Sequence, residues 1–373
     1  MGNCRHCGQK AGFLRRSHKE CDHAHQAGRE RMVEMVVDAA GRPDFNERSL
    51  IDNLSVIADR SYVDQDGIRA AMAEGWRQAV REGLSDGILT RGEEARLREF
   101  REQFSIDTDD KAGGETLEQI DRAAHARLMT HARLAAVSTN RGENHVTTLE
   151  DALADSQLSP ADRRALLVQG WEAAVETSIE DGVLSLDEEH ALNLYLDHFD
   201  LEQSDVNANG AFRSMIQSAV IREAAEGLIP ERLGDIPLVP FNLMKSEQLV
   251  WLIDDVDYYE VKTRRERRGS SHGLSIRVAK GLYYRPSTFK SRPIEWEETV
   301  HEDTGLLGVT SKHIYFHGPR KRFRIRYDRI VSFEPYSDGI GVMRDAQTAK
   351  PQTFHTGDGW FIYNLVTNLA QNW

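Results

Sequence analysis

Apolar residues recur along this chain with two different periods. Through the first two-thirds they fall three and four apart, the spacing of one face of a helix. Leu50, Ile51, Leu54, Ile57 and Ala58 predict a short amphipathic helix, and Ile68, Met72, Trp76, Ala79 and Val80 predict a second that ends near Gly83. Thr90 is the expected N-cap of a third, with Glu93 as its capping-box partner and Leu97, Phe100 and Phe104 on its apolar face. Residues 107–114 read as a loop and 115–136 as a helix carrying Leu117, Ile120, Ala124, Leu128 and Leu134. From residue 145 the plan repeats. Pro160 opens a helix after Ser159, Ser185 and Glu188 restate the capping box, and 211–225 predicts a last helix.

The restatement is literal. Gly75-Trp76 returns as Gly170-Trp171, Ala79-Val80 as Ala174-Val175, and Asp86-Gly87 with Glu93-Glu94 as Asp181-Gly182 with Glu188-Glu189. Leu97 and Phe104 return as Leu192 and Phe199. About eleven identities in roughly thirty positions at one offset mark an internal duplication.

After the helices the period changes. Ile229-Pro230, Ile236-Pro237 and Val239-Pro240 break helices and mark a linker, and Asn242–Trp251 is the first candidate strand. Alternation then appears in Leu274–Val278, Leu306–Thr310, His313–His317, Phe323–Tyr327 and Ile330–Phe333, with turns at Gly281, Gly305, Gly318-Pro319 and Asp338-Gly339. A helix from Gly359 closes the chain with Trp360, Phe361, Leu365, Val366 and Leu369. The expected fold class is therefore multidomain α + β. It comprises a small zinc-binding motif (1–27), two all-α bundle units (28–140 and 141–228), and a linker with an antiparallel β-barrel capped by a C-terminal helix (229–373).

Composition adds a division of charge. The net charge is −13 over 373 residues, but about −19 falls in residues 31–230 and about +7 in 258–373, so the two halves suit different partners. The acidic half repels nucleic acid and anionic lipid, and the basic half can meet either. No apolar run approaches the roughly 20 residues that span a bilayer, so no integral membrane segment is expected. Met1–His6 has no apolar signal region, and His6 stands where a myristoylation motif has Ser or Thr. The expected location is cytoplasmic, peripheral to the inner membrane at most.

All three cysteines lie in residues 1–25. Cys4-x-x-Cys7-Gly8 followed by His18-x-x-Cys21 supplies four zinc ligands in two close pairs. Confinement to one short stretch favours metal over disulfide, and four protein ligands make a structural rather than catalytic site. His23 is the alternative fourth ligand, and His6 is expected to point outward.

The repeated loop also matches the second half of an EF-hand. Asp86, Gly87, Thr90 and Glu93 fall at loop positions five, six, nine and twelve, with Asp181 and Glu188 as counterparts. Position three, however, is Leu84 or Ile179, which removes oxygens that calcium needs, so a tight turn and a capped helix are favoured over Ca2+.

The pattern Asp-Gly-x-Leu-Ser/Thr-x-x-Glu-Glu between two helices resembles the TerB-like helical domain of tellurite-resistance, stress and phage-defence systems. The resemblance covers roughly residues 45–225 and implies an all-helical, acidic adaptor or metal-sensing module working near membranes. Two copies depart from the simplest family pattern. In the last third, Gly305–Phe316 followed by a basic strand and Ile330-Val331-Ser332-Phe333 is similar to bacterial PH or GRAM-like domains, which implies lipid or protein docking. Two basic runs could meet an anionic ligand there: Lys262, Arg264, Arg265, Arg267 and Arg268, and Arg320, Lys321, Arg322, Arg324 and Arg326. The alternative is a solvated outer face.

No nucleophile elbow, P-loop, dinucleotide fingerprint, zincin helix or kinase set occurs, so an enzyme is not expected. His313 and His317, which bracket Tyr315 on one strand face, are expected to be surface histidines. The sequence thus reads as a non-enzymatic adaptor that assembles a bacterial stress or phage-defence complex with protein partners, its PH-like domain docking on anionic lipid or protein. Nucleic-acid binding through the zinc motif and arginines, and metal sensing through the repeated loops, are the alternatives.

Overall fold

The apolar stripes become helices that end where their caps say they should. α1 (Lys19–Gly41), α2 (Glu47–Ser61), α3 (Gln65–Gly83), α4 (Arg91–Gln103) and α5 (Lys111–Val137) are followed by α6 (His145–Ala154), α7 (Pro160–Ser178), α8 (Leu186–His198), the short α9 (Gln203–Val206) and α10 (Ala211–Ala225). This computed structural model describes all residues except 1, 13–14, 139–143, 157, 181, 235–238, 267–293, 347–348 and 372–373, together with the side chains of 263–266 and 294–296. Asn46, Asp64 and Asp110 each accept the amide of the residue three further on. Such a cap contributes about 1 kcal/mol by satisfying an amide that has no partner inside the helix.

One boundary differs from expectation. Residues 111–114 are the first turn of α5 rather than loop, because Asp110 accepts from Gly113 N at 2.6 Å. Gly113 is no helix breaker here. A Cβ on it would lie 2.6 Å from Thr108 Cα, so glycine lets the preceding chain fold back onto the helix start.

Packing explains the Gly-Trp pairs. Trp76 is fully buried among Met32, Val36, Leu54, Val80 and Phe100, and its indole donates to Leu97 O at 2.8 Å. Gly75 beside it faces α1, where a Cβ would meet the Val36 side chain at 2.5 Å. Gly170 repeats the close approach on α5, with Ala132 Cβ at 2.3 Å. The copies lie 95 residues apart, and α1 moved by that spacing becomes 114–136, which falls within α5. The helix α5 therefore closes the first copy and opens the second. The repeat extends to helix ends: Ser105 and Asp200, again 95 apart, both take left-handed φ, 46° and 51°.

The chain divides into two compact units, Met1–Ala174 with Leu194–Leu201, and Val175–Asn193 with Glu202–Trp373. In the second, β1 (Leu249–Glu266), β2 (Ile294–Thr310), β3 (His313–His317), β4 (Arg322–Arg326), β5 (Ile330–Pro335), β6 (Gly339–Arg344) and β7 (Gln352–His355) form one antiparallel sheet in the order β4-β3-β2-β1-β7-β6-β5. Of the antiparallel β-barrel expected, the described residues form a half-barrel: its edges, β4 and β5, follow each other in the chain across a 3-10 turn at Tyr327–Arg329 and are not paired among the described residues. α11 (Gly359–Gln371) packs Phe361, Leu365, Val366 and Leu369 into the core with Val250, Tyr258, Phe316 and Phe354. Val220, Ile221 and Ala224 of α10 join the same core.

The first candidate strand begins later than expected, at Leu249, because Glu247 turns back to accept the Met244 amide at 2.8 Å. The candidate strand Leu274–Val278 lies outside the described residues. No described helix is long and apolar enough to cross a membrane.

Candidate metal centre

The N-terminal chain makes a small hairpin before α1. Asn3 bridges Lys10, Gly8 turns with φ 74°, and its amide donates to Cys4 O at 2.9 Å. This turn presents Cys4 and Cys7 together. His18 is the N-cap of α1 and Cys21 stands in the first turn, so three residues of separation stack both on one side of the helix start. There the dipole favours a thiolate.

The four ligand atoms of Cys4, Cys7, His18 and Cys21 all lie within 4.8 Å of one another. Cys7 Sγ is 3.4 Å and Cys21 Sγ 3.7 Å from His18 Nδ1. Bond lengths of about 2.0–2.3 Å to a tetrahedral metal give ligand–ligand edges of about 3.5–3.8 Å, so this cluster has the right size. The other ring nitrogen, His18 Nε2, is 3.1 Å from Lys10 O. Donation there leaves the Nδ1 lone pair facing the thiols. The cluster can hold a metal ion.

The surroundings press three thiols into one place. Burial pushes Cys4 up, but the amides of Cys7, His18 and His6 outweigh it and bring it down to about 6. Burial, then Cys7 and Cys4, push Cys21 up to about 11. The charge of Cys21, then burial, raise the Tyr62 hydroxyl at the end of α2. His25 on α1 reaches the carbonyls of Ser61 and Tyr62 at 3.3 and 3.2 Å, so the cluster is tied to the first bundle.

Two histidines differ from expectation. His6 does not point outward: its side chain is 7% exposed, lies 2.9 Å from Asp22 and stacks on His25 at 4.6 Å. His23 takes no part in the cluster and is exposed. Two residues beyond Cys21, it points about 200° round the helix.

At the repeated loops the acids face the backbone. Asp86 accepts from Ile88 N, while Glu93 Oε2 accepts from both Thr90 N at 2.9 Å and Thr90 Oγ1 at 2.6 Å. Glu188 does the same for Ser185 at 2.9 and 2.6 Å. Asp181 lies outside the described residues. The second glutamate of each motif, part of the repeat but given no role by the sequence, has the larger role. Arg127 donates to Leu89 O and to Glu94, both at 2.6 Å, and Arg222 donates to Leu184 O at 2.6 Å and Glu189 at 2.5 Å. The two arginines are themselves 95 residues apart, which was the signal available. Arg232 adds a second cation on Glu189.

No family model, curated protein or solved structure matches this chain.

The basic runs of the half-barrel meet acids of their own sheet. Lys262 pairs with Glu302, Lys321 with Glu302 at 3.1 Å and Glu260 at 3.5 Å, and Arg320 with Asp303 at 3.5 Å. The amides of Arg320 and Lys321 also donate to Asp303 at 2.7 Å. Arg322, Arg324 and Arg326 alternate on the exposed face of β4, where Arg322 bonds Gly318 O, Arg324 bonds Tyr315 Oη and Arg326 pairs with Asp328. The side chains of Arg264 and Arg265, and the whole of Arg267 and Arg268, lie outside the described residues.

His313 is not a surface histidine. It is buried, with Nδ1 2.8 Å from Glu247, which also accepts from Thr310 Oγ1 at 2.5 Å and Tyr315 Oη at 2.9 Å. Alternation does put His313 and Tyr315 on one face, but residues 241–247 cover that face, with Phe241 5.2 Å from the Tyr315 ring.

Proposed function

We propose that this chain is a non-enzymatic adaptor whose N-terminus is held by a structural zinc ion and whose half-barrel docks a protein. The closed ligand set carries the reading. Cys4, Cys7, His18 and Cys21 would fill all four positions of a tetrahedral ion and leave none for substrate. Zinc suits three thiolates and an imidazole at this separation. The TerB-like resemblance of the helical copies and the PH or GRAM-like resemblance of the half-barrel add a biological setting, assembly of a bacterial stress or phage-defence complex.

For the half-barrel, protein docking is favoured over anionic lipid. Three of the basic side chains first in view, Lys262, Arg320 and Lys321, are paired with Glu302, Asp303 and Glu260, which blunts their field toward a membrane. Flotation of the full chain with vesicles tests this. Neutral and phosphatidylserine-rich vesicles should both leave it in the pellet at low and physiological salt. Salt-sensitive flotation confined to anionic vesicles, and lost with Arg322→Glu plus Arg324→Glu, would replace the reading with membrane recruitment.

A further inference from the structure

The glycines of the two repeated loops share a left-handed φ and differ in what lies over them. Gly182 has φ 82° and faces the Trp360 ring, whose edge lies 3.4 Å from where a Cβ would stand. Gly87 has φ 79° and faces open space. The same contrast runs along the helix beside each loop. Val220, Ile221 and Ala224 of α10 are buried under α11 and the sheet, whereas their counterparts 95 residues earlier are His125 and Ala126, both exposed, and Met129, half-buried. A cavity of about 580 Å³ opens there in the first unit, between the loop, α5 and α6, lined by Ile88, Leu89, Ala123, Ala126, Thr148 and Ala152 among others. Ile88 at its mouth is 63% exposed, against 54% for its counterpart Val183 in the second copy.

We propose that this groove of the first copy binds a partner protein's amphipathic helix, one with an acidic N-cap and a tryptophan in its first turn, as α11 lies on the second copy. The chain itself supplies the template. In the second copy Asp358 accepts the Phe361 amide as N-cap of α11, and Gln217 of α10 donates to its other oxygen at 3.3 Å. Trp360 follows two residues later and covers Gly182. At the place of Gln217 the first copy has Arg122, exposed on α5, so its groove should hold an acidic N-cap more firmly than the second copy does. A second copy of this chain cannot easily be the occupant, because the apolar face of its α11 is buried in its own core. A helix presenting its anchors at this spacing is a known mode of groove recognition; on the second copy Trp360 is half-exposed and lays its ring edge against the loop glycine.

This inference gives the adaptor reading a docking site and rests on that reading for its setting alone. Vesicle flotation reports on the half-barrel and the titration below on the groove, so either can fail without the other. The probe is a fluorescein-labelled peptide of residues 356–371, titrated against the full chain by anisotropy. Saturable binding is expected, with a dissociation constant on the order of tens of micromolar, weakened at least about tenfold by Ile88→Asp in the chain or Trp360→Ala in the peptide. Arg122→Glu should weaken it several-fold, and Asp358→Lys in the peptide should restore it. Ile88 and Arg122 are exposed, so melting of the variants should match the parent. No saturable binding, binding indifferent to Ile88→Asp, or equal weakening by Val183→Asp in the second copy would each overturn the proposal. So would dimerisation of the chain that Ile88→Asp abolishes, since the occupant would then be a second copy.

Discussion

The first and second copies of the repeat carry the same local devices in different company. Both have a positive-φ glycine, a Ser/Thr–Glu capping box and an arginine that joins the loop carbonyl to the second glutamate. In the first copy that ion pair is partly open, each side chain 18% exposed. In the second it is closed, at 6% for Arg222 and 10% for Glu189, with α11 packed beside it; each glutamate holds a second arginine as well, Arg98 on Glu94 at 2.9 Å and Arg232 on Glu189. Their opening helices differ as well. α5 enters the second copy as the continuation of the first, whereas the hairpin of Cys4 and Cys7 leads into α1. What the backbone needs locally has been kept, and what the neighbours supply has diverged.

The largest effect should come from the metal centre, because α1 starts at the cysteine–histidine cluster and α5 does not. Chelation, or Cys7→Ser with Cys21→Ser, should raise amide exchange over residues 19–30 by about a hundredfold, on the order of 3 kcal/mol of local stability. Exchange in α5 should change little. Metal analysis of the parent should give one zinc per chain, and the double variant none. Equal loosening of α1 and α5 would mean that the two opening helices are anchored alike.

The ion pairs come next. Arg222→Met leaves Glu189 with Arg232 but strips the buried Leu184 carbonyl of its donor, so it should cost about 2 kcal/mol in urea unfolding, against about 1 kcal/mol for Arg127→Met, which leaves Glu94 with Arg98 in a more open site. Their pH dependence has a definite sign. Burial alone would raise the Glu189 carboxyl, but Arg232 and Arg222 outweigh it and hold it below the ordinary value. A carboxyl depressed in the fold gives stability that is complete above about pH 4.3 and lost as pH falls through the folded value. Arg222→Met should therefore flatten the acid limb of the stability profile. If the two substitutions cost the same, the closer packing around the second copy has no energetic meaning.

Helices α2 to α5, α7, α8, α10 and α11, the two capping boxes and the duplication were legible in the sequence because each rests on spacing within one segment; α1 and α6 and the caps at Asn46, Asp64 and Asp110 went unread. Cys4, Cys7, His18 and Cys21 were legible for the same reason, as two short-range pairs. What escaped depends on distant partners. Nothing near His313 announces that residues 241–247 cover its strand, and nothing near Lys321 announces Glu302 and Glu260. His6 was expected outside because its place between two ligands says nothing of Asp22 and His25. The Arg127–Arg222 correspondence was within reach, but it lies beyond the conspicuous part of the repeat and needed the 95-residue spacing carried further. α11 over Gly182 was not readable at all, since the occupant comes from the far end of the chain.

The smallest effect concerns the feature most nearly identical in the two copies. Glu93 and Glu188 each accept two hydrogen bonds from their cap residue, with Oε2 2.9 Å from its amide and 2.6 Å from its hydroxyl. Amidation keeps an acceptor at that position but removes the charge that suits a helix N-terminus, so Glu93→Gln and Glu188→Gln should each cost about 0.5–1 kcal/mol. The two losses should match, because neither cap depends on what lies above its loop. Melting of the parent and of both variants should also be indifferent to millimolar calcium, since these carboxylates already serve the backbone. A calcium-dependent rise in the parent that Glu93→Gln removes would give these acids a metal in place of a cap. Unequal losses would show instead that α11 reaches the second cap as well as Gly182, and that the copies differ even in their most local device.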